Sequence, residues 1–207
     1  MNKFFVATAA TLLAATPAFA QDEGTAPEGS EFNGVSAVAL VGIDVLTIQE
    51  NNAADTTRGL MYGGAIGYDH QVGKVVLGIQ GEITSSQASY KVDGLLVPGD
   101  RFRSEAGRDL YAGIRVGMPV GRTLLYVGGG YVSSQLTSTY TSGATTIEET
   151  EDKGGFRVSM GAEIQRKNVF GRIEMRYQDL GDYTVFSSPT GFARTHTEIV
   201  AGLGVRF

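Results

Sequence analysis

The feature that most constrains the fold is an alternation of apolar and polar residues, repeated in blocks of about ten residues. In residues 169–177, Ile173 and Met175 fall on one face, whereas Arg172 and Glu174 fall on the other. Successive side chains of a β-strand point to opposite faces, so each block predicts a strand with one apolar and one polar face. No helical period of useful length occurs, and the fold class predicted is all-β.

Eight such blocks follow one another along the chain. Three glycines at 128–130 hide the parity of the fifth block, for which Leu125, Val127 and Tyr131 are predicted on the apolar face. The predicted strands are residues 34–45, 60–69, 75–84, 109–118, 123–133, 156–164, 169–177 and 199–207. Short turns are expected near 72–73, 119–121 and 167–168, and long polar loops near 49–58, 87–107, 138–153 and 182–192. Short turns at one end and long loops at the other are typical of an eight-stranded antiparallel up-and-down transmembrane β-barrel.

The first residues have the layout of a secretory signal. Lys3 precedes an apolar stretch, and Ala18 and Ala20 form a small-residue cleavage site before Gln21. A membrane-anchoring helix is the alternative, but the stretch is short and Pro17 lies just before the cut. The sequence therefore predicts a signal peptide (1–20), a flexible acidic leader (21–31) and a barrel (32–207).

Composition excludes several classes of protein. No later segment holds 18 uninterrupted apolar residues, which excludes a helical inner-membrane protein. The net charge of −5 without a basic block argues against nucleic-acid binding. The chain has no Cys, so disulfides and thiolate metal sites are excluded, and no cofactor is expected. A soluble periplasmic protein, a secreted protein and an outer-membrane barrel remain.

The two faces of the predicted strands differ in charge. The interior of an eight-stranded barrel is just wide enough to be filled by side chains. If the charged face points inward, it forms a lumen network of ion pairs. Its predicted members are Asp44, Asp69, Glu82, Asp109, Arg115, Arg157, Glu163, Arg172, Glu174, Arg176 and Arg206.

A soluble barrel of the lipocalin kind would instead place the apolar face inside, and alternation alone does not separate the two cases. Three other features favour the membrane barrel. Glycines on the charged face leave room for long side chains, the chain ends within a strand at an aromatic residue, and aromatic residues cluster at strand ends. This last group predicts two aromatic girdles, formed by Tyr62, Tyr68, Phe156, Tyr177 and Phe207.

Three segments, 63–69, 77–82 and 203–207, carry a resemblance to a known family. Their sequences, GGAIGYD, LGIQGE and LGVRF, resemble the OmpA-like outer-membrane β-barrel domain, with small porin-family surface proteins of alphaproteobacteria as the nearest match. The resemblance covers about residues 32–207. It implies outer-membrane lipid and lipopolysaccharide as partners, with both ends of the mature chain in the periplasm. No C-terminal periplasmic domain is expected, so peptidoglycan binding is not carried over.

The resemblance also implies a contact with the barrel assembly machinery, because the last strand is similar to the signal which that machinery reads. The residues concerned alternate along the strand: Ile199, Ala201, Leu203, Val205 and Phe207.

Candidate chemistry is sparse. His196 lies near the loop end of the last strand beside Glu198, and His70 lies at a turn; no serine stands two residues after His196, so a triad is not indicated. We interpret His196 as a hydrogen-bonding residue of the rim or lumen. The acidic run at 148–152 could hold Ca²⁺ or Mg²⁺, but its spacing matches no defined metal loop and favours a solvated loop.

The leading hypothesis is a non-enzymatic barrel that supports the envelope and presents its loops to an extracellular ligand. A narrow channel for ions or small solutes is the first alternative, and a barrel enzyme acting on lipid or protein is the second.

Overall fold

The computed structural model describes residues 32–50, 53–94, 97, 99–185 and 188–207. The signal peptide (Ala18, Ala20 and Gln21 among its residues) and the leader lie outside these ranges and stay predictions. The strands are β1 (Gly34–Glu50), β2 (Ala53–Val72), β3 (Val75–Ser86), β4 (Ser89–Asp93), β5 (Arg101–Val120), β6 (Thr123–Ser142), β7 (Thr145–Arg166), β8 (Val169–Val185) and β9 (Ser188–Arg206). The described residues include no helix long and apolar enough to cross a membrane.

The strands form one closed antiparallel ring. Apart from β3 and β4, each strand pairs with the next along the chain, and β9 pairs with β1 from Ser36↔Arg206 to Gln49↔Ala193. β3 and β4 pair in succession with β5, so together they fill one position of the ring. Nine segments therefore make eight positions, and the predicted eight-stranded barrel is confirmed.

The predicted long loops are wrong over most of their length, because the strands continue through them. β1 runs to Glu50 and β2 begins at Ala53, while β6 and β7 meet at a turn of two residues, Gly143 and Ala144. Within this hairpin Thr137 pairs with Thr150, and their hydroxyls lie 3.2 Å apart. Threonine is β-branched and fits an extended backbone. Polar residues occupy both faces here, so hydropathy alternation gives no signal for these strand extensions.

The opposite end of the barrel has tight two-residue turns, as predicted. A residue with a φ near +60° begins the turn in each case: Gly73 and Gly121, but Lys167 between β7 and β8. Glycine adopts this left-handed conformation without steric cost, whereas a residue with a Cβ does so rarely. Lys167 is the one non-glycine residue with a positive φ in the described part of the chain. We call this the turn end and the opposite one the hairpin end.

An apolar belt surrounds the outside of the ring between these two ends. On β8, for example, the outward residues run from Val169 to Tyr177 with Ile173 at the centre, 58% exposed. The segment from Val169 to Tyr177 is nine residues long, which is the length of a tilted membrane-spanning strand. The predicted girdle residues are all exposed on this face at the belt's edges: Tyr62, Tyr68, Phe156, Tyr177 and Phe207. Leu125, Val127 and Tyr131 also point outward, so the parity predicted for β6 is right.

The inside of the ring holds the buried side chains. Phe32, which precedes β1, packs with Val76, Leu124 and Tyr126 at the turn end. Toward the hairpin end, Tyr111, Val132 and Leu180 form a second apolar cluster. The charged residues lie between and beside these clusters, so charged and apolar side chains together fill the interior.

Glycines on the inward face make room for the buried tyrosines. A Cβ on Gly113 would lie 2.1 Å from the hydroxyl oxygen of Tyr111 and 2.6 Å from the carbonyl oxygen of Gly129. A Cβ on Gly81, on the outward face, would meet no atom within 4 Å.

Replacing Gly113 with valine is therefore expected to overfill the interior and to lower the free energy of unfolding by about 1–3 kcal/mol. Gly81→Val makes the same change where space is open, and we expect it to fold as the parent does. Urea unfolding of both variants in lipid vesicles measures the difference. Equal stabilities would show that the interior is loosely packed.

Candidate functional site

The charged interior divides into three groups of side chains along the barrel axis. We name them the turn-end group, the middle group and the hairpin-end group. Together they contain five arginines and seven carboxylates, all from the inward faces of the strands.

The turn-end group comprises Asp69, Arg115, Glu163 and Arg206. Arg115 donates to both carboxylate oxygens of Asp69, with 2.8 Å from Nε to Oδ1, and its Nη1 lies 3.2 Å from Glu163. Arg206 Nη2 donates to Asp69 at 2.8 Å and to Glu163 at 2.7 Å. Two arginines and two carboxylates thus neutralise each other. The Arg206 guanidinium also lies 5.2 Å from the ring centre of Phe170, which shields it from solvent.

The middle group comprises Glu82, Arg157, Arg172, Glu174 and Arg176. Arg176 donates to both oxygens of Glu82, at 2.7 and 2.9 Å, and also to Glu174. Arg157 donates to Glu82, and Arg172 Nη2 lies 3.8 Å from it. Glu82 therefore faces three guanidinium groups and is the centre of the network. Such charge-assisted, forked hydrogen bonds fix side-chain geometry more strongly than neutral ones.

Two tyrosines border the middle group. The Tyr126 hydroxyl donates to Glu174 at 2.6 Å. The Arg157 guanidinium lies 4.5 Å from the ring centre of Tyr111. The aromatic rings thus fill the space beside the charges, which leaves the interior packed in the manner expected of eight strands.

The hairpin-end group comprises Asp44, Asp109, His196 and Glu198. His196 Nδ1 lies 2.9 Å from Asp44 Oδ1, and Ser86 donates to the other Asp44 oxygen at 2.7 Å. Arg176, at 3.4 Å from Glu198, reaches up from the middle group. This group is acidic, since it contains three carboxylates and none of the five interior arginines.

Gln178 and Ser134 complete the hairpin-end group. Gln178 Nε2 donates to Glu198, and Ser134 donates to Asp109. Asp109 also lies 3.9 Å from Arg157. Neutral donors thus join the two arginines that reach this group from the middle group.

All eleven residues that the sequence placed in the lumen lie on the inward face. Asp44 was expected to pair with an arginine, and its contacts include His196 and Ser86. The lumen network predicted from the sequence did not include Glu198 or Gln178. Their parity in β9 and β8, shared with Arg206 and Arg176, was the signal that could have found them.

Asp44, His196 and Glu198 are also the one group of three possible metal ligands in the described part of the chain, with ligand atoms within 4.8 Å of one another. Hydrogen bonds already engage these atoms, and the cationic Arg176 lies beside Glu198. We therefore interpret the group as a hydrogen-bonded cluster. Ser86 donates to Asp44, so it is not seated as a nucleophile on the imidazole.

The acidic run of β7 is spread over both faces of the hairpin. Glu148 and Asp152 are exposed, while Glu151 pairs with Lys153 at 2.9 Å. Carboxylates that alternate between faces do not converge on one ion. His70 is exposed at the turn end.

Comparison with known proteins places the chain in a family. A model of the outer membrane protein beta-barrel domain matches residues 6–207, nearly the whole chain. The chain belongs to the outer-membrane β-barrel domain family. None of the curated protein sequences compared with it matches. As a member of this family, it places its apolar belt in the hydrocarbon of an outer membrane of Gram-negative bacteria.

Solved outer-membrane barrels have a similar fold. Ail, the attachment invasion locus protein of Yersinia pestis, is 11% identical with a TM-score of 0.50, over 84% of this chain and 99% of that one. Neisserial surface protein A is 14% identical with a TM-score of 0.51, over 84% and 99%. The outer membrane protease OmpT of Escherichia coli is 12% identical with a TM-score of 0.48, over 84% and 97%. At these identities the likeness to Ail and to Neisserial surface protein A shows the fold alone.

Outside the membrane, this barrel carries a sheet built from the hairpin-end parts of β4 to β7. Lys91 pairs with Arg103 across β4 and β5, and Arg101 forms an exposed ion pair with Asp93 at 2.9 Å. The acidic run lies on β7, and the Ser- and Thr-rich β6 separates it from these cations. On the inward side the Tyr140 hydroxyl donates to Asp100, which raises the pKa of Tyr140. The β4–β5 side of the sheet thus carries paired charges of both signs, whereas the β7 side is acidic.

Proposed function

We propose that this chain is a closed, non-enzymatic outer-membrane barrel that supports the envelope and presents its hairpin-end sheet to the exterior. The observation that carries the proposal is the filled interior, in which Glu82 and Asp69 each engage at least two arginines. A rigid plug of this kind holds the ring together and leaves the outer sheet as the surface available to a partner.

The orientation follows from the strand connections. Short turns of outer-membrane barrels are periplasmic and their longer connections are extracellular. Phe32 and Phe207 both lie at the turn end, where the backbone nitrogen of Phe207 donates to Val35 at 2.8 Å. We therefore place both ends of the mature chain in the periplasm.

Contact with lipopolysaccharide and recognition of the last strand by the barrel assembly machinery remain part of the proposal. The outward alternation of Ile199, Leu203 and Phe207 supports the second, because it makes the outward face of residues 199–207 apolar.

The purified barrel is expected to show little or no steady conductance in a planar lipid bilayer. Paired guanidinium and carboxylate groups fill the lumen together with the apolar clusters around Phe32 and Val132. A protein-free bilayer is the control. A large, steady, porin-like conductance would favour the channel alternative instead.

The surface role is separable from the structural one. In a strain that lacks the chain, a variant with β6 and β7 joined by a two-residue turn just beyond the Thr137↔Thr150 pair should restore resistance to detergent. Its barrel and interior network are unchanged, so only interactions of the outer sheet should be lost. Failure of this folded variant to restore resistance, where the full chain does so, would show that the outer sheet itself supports the envelope.

A further inference from the structure

The turn end of the barrel carries four exposed cations, Lys74, Arg122, Arg166 and Lys167. The ion pairs of the described residues include none of them. The carboxylate nearest in sequence to the first turn, Asp69, is buried inside the ring and already engaged by two arginines. Within the part of the chain that the structure describes, this rim is therefore a positively charged surface.

Three of the four cations converge. The β5–β6 and β7–β8 turns are neighbours, joined by a bond from the Gln165 backbone nitrogen to the Arg122 oxygen at 2.9 Å. Between them lies a recess of about 500 Å³, lined by Arg122, Gln165, Arg166, Lys167 and Asn168. Lys74 lies on another turn and does not line it.

An apolar groove of about 600 Å³ continues from this recess along the lipid-facing side of β7 and β8. Ile164, Val169 and Gly171 line it, and Arg166 and Lys167 belong to both the recess and the groove. The register sets Ile164 opposite Gly171 and Arg166 opposite Val169. Cations thus lie at the end of an apolar groove that opens to the membrane.

Two residues of this site are not accounted for by the packing of the barrel. A Cβ on Gly171 would meet only one atom, at 4.0 Å, so no neighbour requires glycine there, and its absence of a side chain deepens the groove. Lys167 holds a φ of 57°, where the other two tight turns of this rim have glycine. A residue kept in a strained conformation is a mark of a functional position.

We propose that this recess and groove bind one anionic phospholipid, with its phosphate between Arg122, Arg166 and Lys167 and an acyl chain along Ile164 and Gly171. Guanidinium groups match the geometry of phosphate oxygens, and basic pockets at a membrane surface select acidic headgroups. The inference goes beyond the proposed function and does not depend on a partner for the outer sheet.

The test measures the dissociation constant of the first bound lipid by native mass spectrometry of the detergent-purified chain. Dioleoyl phosphatidylglycerol is the probe, and dioleoyl phosphatidylcholine has the same acyl chains without net charge. We expect the anionic lipid to bind more tightly. The double variant Arg166→Gln with Lys167→Gln should weaken binding of the anionic lipid by about 25-fold, which is about 5-fold for each cation removed.

The matched control is Lys74→Gln with Lys91→Gln, which removes the same charge away from the recess and should leave the affinity unchanged. Gly171→Leu keeps every cation and fills the groove, so it should weaken lipid binding several-fold. Lys167→Gly removes the backbone strain of the positive φ and so favours folding, but its affinity for the anionic lipid should still fall by about 5-fold. Heat-shifted gel mobility confirms that each variant is folded.

Three outcomes would overturn the proposal. One is equal affinity for the two lipids. Another is an equal loss in the control variant, which would indicate attraction by net charge alone. The third is displacement of the lipid by inorganic phosphate together with no effect of Gly171→Leu, which would indicate a free-anion site.

Discussion

Replacing Glu82 with alanine is expected to lower the free energy of unfolding of the barrel by about 3–5 kcal/mol. Glu82 lies inside the ring and accepts hydrogen bonds from Arg157 and Arg176, with Arg172 beside them. Its removal leaves guanidinium groups buried without their shared counter-charge, and Glu174 is the other carboxylate of that group. The cost of an uncompensated buried charge exceeds the modest net value of an intact pair.

Urea unfolding in lipid vesicles measures this change, with gel mobility of unheated samples as a second readout. Glu148→Ala is the matched control, because it removes a carboxylate that is exposed on the outer hairpin. Exposed substitutions of this kind change stability by about 0.5 kcal/mol or less. If the two variants unfold alike, Glu82 is not the centre of the interior network.

Ile173→Arg is expected to cost about 2–4 kcal/mol, because Ile173 lies at the middle of the apolar belt. At that depth the guanidinium has no water and no described interior carboxylate on its own face of β8. The neighbouring inward residues, Arg172 and Glu174, point to the other side of the sheet.

Ile147→Arg makes the same substitution on the outer hairpin, where Ile147 is 49% exposed. Water reaches that position, so we expect a change near zero. Unfolding in vesicles again compares the two. Should Ile173→Arg be as well tolerated as Ile147→Arg, the outward face of the belt would not be in contact with lipid.

The sequence predicted the membrane-spanning part of the fold well, because lipid imposes a strict alternation there. Ile173 and Arg172 are adjacent and face opposite environments, and this contrast sets the parity of the whole strand. Above the belt, polar residues occupy both faces. Thr137 and Thr150 therefore looked like loop residues although they pair in a strand.

The members of the interior network could be predicted, but their partners could not. His196 and Asp44 lie 152 residues apart, and their contact depends on the register with which β9 meets β1. Alternation assigns a side chain to a face and carries no information on its height along the barrel axis. Only the closed ring determines that Asp44 meets an imidazole and that Glu82 meets three guanidinium groups.

The seam between β1 and β9 has a consequence for how this protein reaches its native state. It joins the first strand to the last, so the contacts with the largest sequence separation form only when nearly the whole chain is present. Such a step is slow, because the chain loses loop-closure entropy before the long-range contacts form and stabilise the ring. Arg206 on β9 meets Asp69 on β2 across this seam. Sealing the ring therefore also buries this ion pair, so a barrel with an open seam leaves Arg206 and Asp69 in contact with water.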